Sequence, residues 1–415
     1  MLYQIYEYQR AAFSPFYSLA ETLAKNFTNS ASPWSYLPNA HSIAAAYELI
    51  YRIGKEYEKP AFNIHQIQID DVTVAVVEQT ILKKHFCKLI GFKRYSDDLK
   101  TAAKLRAQPT ILICAPLAGH YATLLRDTVK SFLSTHNVFI TDWENARNVP
   151  IELGSFTLTN YIEYILEFID FLGSDCIHVI SVCQPTVPVL AAISLMAARG
   201  IKTPLSLVLM GGPVDARKSP TAVNSLALQH PIEWFENNLI QTVPSHFAGT
   251  SRKVYPGFLQ HAGFVAMNPD KHLNSHWAFY QNLLKGSNED AASHRKFYDE
   301  YNAVIDLTAE YYLETIRCVF QKFSLANGNW WIGNELVNPK AIQKTALLTI
   351  EGELDDISGS GQTHSAQDLC TGINDNKKAA LTFAAVGHYG LFSGRKWRNI
   401  IYPKVVEFCK THDRT

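Results

Sequence analysis

One segment constrains the fold more than any other, the stretch CIHVISVCQPTVPVLAAISLMAARG that begins at Cys176. A short apolar run leads directly into Cys183, and an apolar helical pattern follows with almost no connecting loop, ending at Gly200. A strand that turns this sharply into a helix projects the residue at the turn above a sheet, and the next N–H points toward a developing oxyanion. The segment therefore predicts a nucleophile at Cys183 and an oxyanion donor in the backbone of Gln184.

The positions two residues before and after Cys183, where such turns usually carry glycine, are Ser181 and Pro185. Serine is small, and proline has a φ suited to a first helical turn and leaves the N–H of Gln184 intact. A buried structural cysteine is the alternative interpretation. The other six cysteines lack this context and are expected to be structural, and their spacing predicts neither a disulfide framework nor a zinc site.

A regular alternation of strand and helix patterns begins near Pro109. Residues 64–95 before it read as antiparallel strands. Short apolar runs that alternate with amphipathic helices are typical of a parallel, doubly wound sheet. The strands are predicted at 110–115, 138–143, 176–182, 206–210, 346–350 and 381–385, and the helices at 120–133, 160–172 and 185–199.

The alternation stops between Asp215 and Lys340, where helical, aromatic-rich stretches such as PIEWFENNLI and HWAFYQNLL take its place. The pattern predicts an α/β-hydrolase fold, a mostly parallel doubly wound sheet with a helical lid insertion between strands six and seven. We expect a helical N-terminal segment at 1–60, the first part of the core with its antiparallel strands at 61–215, the lid at 216–340 and the remainder of the core at 341–415.

A nucleophile at such a turn needs an acid and a base in the chain order nucleophile, acid, base. The strand candidate in ALLTIEGELDDIS ends in a loop with Asp355 and Asp356, and ALTFAAVGHYG ends in a loop with His388. The form Gly-x-x-Asp-x-Ile favours Asp355 over Asp356 as the acid. Asp215, just after the strand at 206–210, is a further alternative. A helix cap at Asp355 and a solvated loop histidine at His388 are the competing interpretations.

The segment APLAGHYATLLRD follows the strand at 110–115, where folds of this type place a second oxyanion N–H. Leu117 or Ala118 would donate it. His120 either lines the pocket or is a polar residue at a helix N-terminus. In the lid, aromatic side chains are candidates to line a hydrophobic substrate pocket, with ordinary helix core as the alternative; they are Trp234, Tyr255 and Phe258.

Charge and hydropathy exclude several classes of function. Lys plus Arg and Asp plus Glu both number 38, so no basic field is available to bind a nucleic acid. No apolar run approaches the roughly 18 residues of a membrane span. The N-terminus lacks the pattern of a secretory signal, and we expect a cytoplasmic protein without a metal or bound cofactor. The sequence leaves a homo-oligomer open.

Several longer strings, among them MLYQIYEYQRAAFSPF, HVISVCQPTVPVLAAISLMA, MGGPVDARKSPTAVNSLA and EGELDDISG, resemble intracellular polyhydroxyalkanoate (polyhydroxybutyrate) depolymerases over essentially the whole chain. The resemblance implies a catalytic triad of Cys183, Asp355 and His388, the same three positions that the strand-end argument gives. It also implies activity on amorphous polyhydroxybutyrate granules in the cell. Water would be the acyl acceptor, or coenzyme A in a thiolysis.

Two other functions stay open at this stage. Polyester synthases also use a cysteine at a strand–helix turn with Asp and His, and run toward chain extension from an acyl-CoA. They retain glycine around the nucleophile more often, so Ser181 and Pro185 weigh against synthesis. The other alternative is a non-catalytic protein of the granule coat with a hydrolase-like fold, against which the complete set of triad residues argues.

Overall fold

The computed structural model describes residues 2–267, 269–285 and 287–413. The strands in chain order are β1 (Gln66–Ile69), β2 (Val72–Lys83), β3 (Cys87–Tyr95), β4 (Thr110–Cys114), β5 (Asn137–Trp143), β6 (Ile177–Val182), β7 (Ser206–Met210), β8 (Gln241–Thr242), β9 (Lys253–Tyr255), β10 (Leu307–Thr308), β11 (Trp331–Ile332), β12 (Glu335–Leu336), β13 (Ala346–Gly352) and β14 (Lys378–Phe383).

The helices are α1 (Leu2–Thr28), α2 (Ala40–Gly54), α3 (Leu99–Ala107), α4 (Arg126–Phe132), α5 (Leu158–Leu172), α6 (Thr186–Ala198), α7 (Ala222–Gln229), α8 (Ile232–Leu239), α9 (Gly257–Met267), α10 (Pro269–Lys285), α11 (Asn288–Tyr301), α12 (Ala309–Thr315), α13 (Ser365–Leu369), α14 (Gly394–Lys396) and α15 (Tyr402–Thr411). None of these helices, within the residues that the structure describes, is both long and apolar enough to cross a membrane.

The central sheet of the described chain has nine strands in the order β1-β2-β3-β5-β4-β6-β7-β13-β14. In this sheet, β5, β4, β6, β7, β13 and β14 run parallel to one another. The strands β1, β2 and β3 pair antiparallel along one edge, and β3 also pairs antiparallel with β5. Parallel neighbours need helical crossovers, which cover both faces of the sheet. This arrangement confirms the predicted α/β-hydrolase fold with its mostly parallel, doubly wound sheet.

Successive residues of the central strands pack on opposite faces of the sheet, as the two-residue period of a strand requires. In β4, Ile111 and Ile113 join one apolar cluster with residues of α4 and α15, whereas Leu112 and Cys114 join another with residues of α5 and α6. Both faces are therefore buried. This explains why the central strands read as continuous apolar runs in the sequence.

The chain between β7 and β13 forms the insertion. It contains α7 to α12 and a small antiparallel sheet in the order β10-β9-β8. If β1 is set aside as an additional edge strand, β7 and β13 are strands six and seven of the sheet. The insertion thus leaves and re-enters the sheet where the sequence pattern places it.

The N-terminal helices α1 and α2 pack on each other and are tied to the insertion by buried polar contacts. The hydroxyl of Tyr3 donates a 2.6 Å hydrogen bond to Asp306 Oδ2, and Arg52 on α2 forms a 2.8 Å ion pair with Asp299 of α11. Tyr3 and Asp306 are both almost fully buried. The start of the chain therefore supports the insertion and is not an independent unit.

Two predicted elements differ from the structure. The helix expected at 120–133 begins only at Arg126, after a 3₁₀ turn, because Gly119 has a φ of +102° and its carbonyl accepts a 2.8 Å hydrogen bond from Ile305 of the insertion. The strand expected at 381–385 ends earlier, at Phe383. The chain turns there, with a φ of +53° at Ala385, whose N–H donates to Glu353.

Candidate active site

Cys183 occupies a strained turn between β6 and α6. Its φ of +67° lies in the left-handed region, which non-glycine residues adopt at a cost of roughly 1–3 kcal/mol. Two backbone hydrogen bonds hold the turn: the N–H of Cys183 donates to Met210 at 2.8 Å, and its carbonyl accepts from Thr186 at 3.1 Å. The side chain is half-buried. This is the geometry of a nucleophile elbow.

The residues that stand in place of glycine two positions before and after Cys183 fit this turn. Ser181 is fully buried in β6, and Pro185 has a φ of −59° immediately before the first residue of α6. The close approach falls instead on Gly212, after β7. A Cβ there would lie far inside contact distance of Thr186 Oγ1 and the Cys183 carbonyl oxygen. The glycine that the elbow needs is therefore supplied by a neighbouring strand end.

His388 and Asp355 form a buried hydrogen-bonded pair at the ends of β14 and β13. His388 Nδ1 lies 2.8 Å from Asp355 Oδ2, and both side chains are at most 4% exposed. The other carboxylate oxygen, Oδ1, accepts 2.9 Å hydrogen bonds from the N–H groups of Ile357 and Ser358. These bonds fix the carboxylate, and the carboxylate in turn orients the imidazole.

The environment of His388 favours its charged form. Burial lowers the pKa of the imidazole. The charges of Cys183 and Asp355 and the hydrogen bonds with both side chains outweigh burial and raise that pKa well above its ordinary value. The structure therefore brings Cys183, His388 and Asp355 into one interacting group. A histidine between a thiol and a carboxylate is the arrangement expected of a nucleophile with its base and its orienting acid.

The two alternative acids are engaged elsewhere. Asp215 forms a forked ion pair with Arg217, at 2.7 and 2.8 Å. Burial acts to raise the pKa of Asp215, but Arg217 outweighs it and lowers that pKa. Asp356 interacts with Tyr301 and Tyr389. Burial raises the pKa values of both tyrosines, and the charge of Asp356 raises them further. Only Asp355 of the three hydrogen-bonds to His388 in the described chain.

The predicted oxyanion residues lie on two segments, Gln184 at the turn after β6 and Leu117 or Ala118 on the loop after β4, which also carries His120. Gln184 and Leu117 are buried, and Ala118 is partly exposed. His120 is buried in an extended segment that pairs with Val304, so it does not begin a helix. Its Nε2 lies 3.1 Å from the carbonyl oxygen of Tyr301. Burial and then the neighbouring histidines, His388 among them, lower the pKa of His120 to about 4, which keeps the ring neutral near the site.

The predicted lid aromatics each stack on another aromatic ring. Tyr255 packs against Tyr312 with ring centres 4.1 Å apart. Trp234 stacks on His230, also at 4.1 Å, and Phe258 stacks on Tyr6 of α1 at 4.0 Å. Trp234 and Phe258 thus take part in helix packing, the alternative that the sequence leaves open for them.

Sequence reasoning missed the glycine pair that follows β7. Gly211 has a φ of +56°, and a Cβ on it would lie 3.2 Å from Asp355 Oδ2 and 3.4 Å from His388 Cε1. Gly211 and Gly212 thus leave room for the histidine–aspartate pair and for the elbow. The signal was present in the sequence, because consecutive glycines directly after a buried strand indicate close approach of other backbone.

All seven cysteines are free. The described part of the chain contains no cluster of three or more His, Cys, Asp or Glu side chains arranged to hold a metal ion.

A nucleophile elbow, a histidine–aspartate pair and this sheet order together define the protein as an α/β-hydrolase. Residues 211–413 match the family described as the C-terminus of PHB (polyhydroxybutyrate) depolymerases. This match over the second half of the chain supports an assignment to the PHB depolymerase family and to the carboxylic ester hydrolases. A comparison with curated protein sequences gave no match.

Solved structures with a similar course of the chain include a 2-hydroxy-6-oxo-6-phenylhexa-2,4-dienoate hydrolase from Rhodococcus sp. strain RHA1, with 10% identity, a TM-score of 0.44 and coverage of 81% of this chain and 99% of that one. A monoacylglycerol lipase from Paleococcus ferrophilus has 12% identity, a TM-score of 0.43 and coverage of 74% and 96%. A thermophilic esterase from Thermogutta terrifontis has 10% identity, a TM-score of 0.42 and coverage of 82% and 99%. The fold assignment rests on the strand order itself.

Proposed function

We propose that this protein depolymerises amorphous polyhydroxybutyrate with Cys183 as nucleophile, His388 as acid and base, and Asp355 as the group that orients His388. The observation that carries the proposal is the meeting of these three residues: Cys183 at a strained elbow, next to an imidazole bonded to a buried carboxylate. The family match supports the polymer as substrate. A cytoplasmic location, on the granules that store this polymer, goes with the proposal.

The reaction begins when His388 takes the thiol proton of Cys183 and the sulfur attacks the carbonyl carbon of a backbone ester. The tetrahedral oxyanion accepts hydrogen bonds from the N–H of Gln184 and from that of Leu117 or Ala118. When the oxyanion collapses, the carbon–oxygen bond of the ester breaks. His388 then protonates the leaving oxygen, and the shortened chain departs as an alcohol.

The acyl group now forms a thioester with Cys183. Water gives a proton to His388 and attacks the thioester carbonyl, and the thiolate leaves and regains its proton. The product is 3-hydroxybutyrate or a short oligomer with a free carboxylic acid. Coenzyme A is the alternative acceptor, whose thiol would release the acyl group as a thioester. No resident cofactor takes part in either route.

A solid polymer also requires a surface that adheres to it. On α10, the side chains of Leu273 and Trp277 are 69% and 61% exposed, and Phe297 on the adjoining α11 is 41% exposed. Exposed apolar side chains grouped on neighbouring helices are typical of a binding surface. We assign this part of the insertion, called here the lid surface, to contact with the granule.

The test measures acid-soluble 3-hydroxybutyrate released from amorphous granules by the wild type and by Cys183→Ala, each with and without coenzyme A. We expect release by the wild type alone. A product that needs coenzyme A and contains its thioester would assign the acceptor. Equal release by both proteins would exclude Cys183 as nucleophile. If neither protein releases product, and 3-hydroxybutyryl-CoA yields polymer and free thiol, the protein is a synthase instead.

A further inference from the structure

Two buried polar side chains beside the nucleophile have no hydrogen-bond partner. Gln184 is 8% exposed and Tyr311 is 1% exposed. Within the described residues, neither end of the Gln184 amide makes a hydrogen bond, and neither does the Tyr311 hydroxyl. Buried polar groups are almost always paired in proteins, because an unpaired group loses its interaction with water and gains nothing in return. A pair of such groups next to Cys183 therefore indicates a ligand.

The two groups lie near the reacting atoms. Gln184 directly follows Cys183, and Tyr311 comes from α12, where the insertion returns to the core. Burial raises the pKa of the Tyr311 hydroxyl. The side chains of Thr315 and Gln184 lie close enough to lower that pKa, although neither meets the hydroxyl at the distance and angle of a hydrogen bond, and the charge of Cys183 raises it. The hydroxyl is therefore within interaction range of both the Gln184 amide and the nucleophile.

The ring of Tyr311 is packed against other aromatic rings, which hold its hydroxyl in place. The ring stacks on Tyr161 of α5, with centres 5.8 Å apart and planes inclined by 22°, and it lies 5.8 Å from the ring of Phe156. These neighbours are themselves buried. Packing on both of these rings therefore restricts the position of the hydroxyl.

The chemistry of the two groups selects a neutral, oxygen-bearing ligand. A carboxamide and a phenol offer both donors and acceptors and carry no charge. In the proposed reaction the N–H of Gln184 binds the carbonyl oxygen under attack, so its side chain starts beside the acyl group. A polyester of 3-hydroxy acids carries an oxygen on the β-carbon of that group, close to the carbonyl.

We propose that the Gln184 amide and the Tyr311 hydroxyl form a subsite for the oxygen on the β-carbon of the acyl group that Cys183 attacks. The inference rests on the proposed function and adds to it the part of the substrate that is recognised. The subsite makes the enzyme selective for 3-oxygenated acyl groups over plain acyl chains of the same length. A site built to hydrogen-bond an oxygen discriminates strongly against a substrate that lacks it, because its own buried groups then stay unpaired.

The experiment compares kcat/KM for the 4-nitrophenyl esters of 3-hydroxybutyrate and of butyrate, which differ only in the oxygen in question. The variants are Tyr311→Phe and Gln184→Met, with Tyr161→Phe as the matched control. Among the described residues, Tyr161 also has a fully buried hydroxyl without a partner. Burial and then the charges of Cys114, Tyr311 and Cys87 raise its pKa, whereas Cys183 is not among the causes. Thermal unfolding of each variant checks its fold.

The wild type should prefer the hydroxylated ester, and Tyr311→Phe should lower this preference about tenfold, which is the loss of one hydrogen bond. Gln184→Met should act in the same direction, and Tyr161→Phe should keep the preference of the wild type. If Tyr311→Phe and Gln184→Met fold and slow both esters equally, the groups act on the sulfur, the oxyanion or the attacking water, and the subsite is refuted.

An unchanged preference in both variants also refutes the subsite. In that case, the proposed function still holds if the wild type hydrolyses the butyrate ester and Cys183→Ala does not. A wild type that hydrolyses neither ester overturns the proposed function and the subsite with it. The two failures are therefore distinguishable from the same set of rates.

Discussion

At the scale of single residues, the site depends on close packing around a strained backbone. Cys183 keeps its φ of +67° because hydrogen bonds to Met210 and Thr186 and contact with Gly212 leave the turn no room to relax. Strain of this kind persists only where the surrounding structure determines the conformation. The elbow should therefore be more sensitive to added volume at Gly212 than to changes of polarity nearby.

The first prediction is that Gly212→Ala lowers kcat/KM by at least tenfold and costs about 1–3 kcal/mol of unfolding free energy. The added methyl group would collide with Thr186 Oγ1 and the Cys183 carbonyl. Ester hydrolysis and urea unfolding measure the two effects. Gly263→Ala is the matched control, because a Cβ there meets nothing within 4 Å and alanine favours helix α9. Equal effects of both substitutions would contradict the packing argument.

The second prediction concerns the proton on His388. Asp355→Asn should lower the pKa of His388 and reduce kcat about 10⁴-fold, because the imidazole loses its orienting carboxylate. Asp356→Asn and Asp215→Asn are the matched controls and should retain far more activity. NMR titration of the histidine ring measures the pKa, and a midpoint that is unchanged in Asp355→Asn would refute the assignment.

The same raised pKa gives stability a defined pH dependence. The folded protein binds the His388 proton more tightly than the unfolded chain, whose histidine pKa is about 6.5. The stabilisation is therefore complete below about pH 6.5 and is lost as the pH rises through the folded pKa. The stability advantage of the wild type over Asp355→Asn should shrink across that range.

At the scale of elements, the strands and the order of the catalytic groups could be predicted, whereas the loops could not. Buried parallel strands carry a strong local signal, and Asp355 and His388 stand directly after two of them. The late start of α4 depends on a contact between Gly119 and Ile305, which are far apart in the sequence. The use of Gly212 as the glycine of the elbow depends likewise on the neighbouring strand. Local sequence carries no information on the first contact, and for the second the consecutive glycines after β7 indicate close packing but do not identify the partner.

The third prediction tests how α1 supports the insertion. Tyr3→Phe should cost about 1–3 kcal/mol, because it removes a donor from the buried carboxylate of Asp306, which then keeps only the N–H of Gly257 as an observed donor. Burial already raises the pKa of Asp306, and the lost bond raises it further. Urea unfolding measures the cost. Tyr8→Phe, at a tyrosine that is 73% exposed, should change stability by less than about 0.5 kcal/mol. Equal stabilities of the two variants would refute the buried bond.

At the scale of the whole molecule, the balance of charge and apolar surface suits an uncharged polymer. Lys plus Arg equal Asp plus Glu at 38 each, so no net charge opposes or steers the approach to a surface. The proposed attachment to the polymer would then depend on apolar contact, whose free energy is roughly proportional to the apolar area removed from water. On the insertion, the lid surface contributes Leu273, Trp277 and Phe297 to this area.

The fourth prediction is that the double substitution Leu273→Ser, Trp277→Ser weakens sedimentation with polyhydroxybutyrate granules by tenfold or more. Burial of two large apolar side chains contributes roughly 1.5–3 kcal/mol each, and tenfold in affinity corresponds to about 1.4 kcal/mol. The rate on a soluble ester gives the activity of the same preparations. Trp331→Ser is the matched control, because Trp331 is 60% exposed but lies on the β11–β12 hairpin outside the lid surface. If Trp331→Ser weakens sedimentation as much as the double variant, attachment is a property of exposed apolar residues in general and has no dedicated surface on α10 and α11.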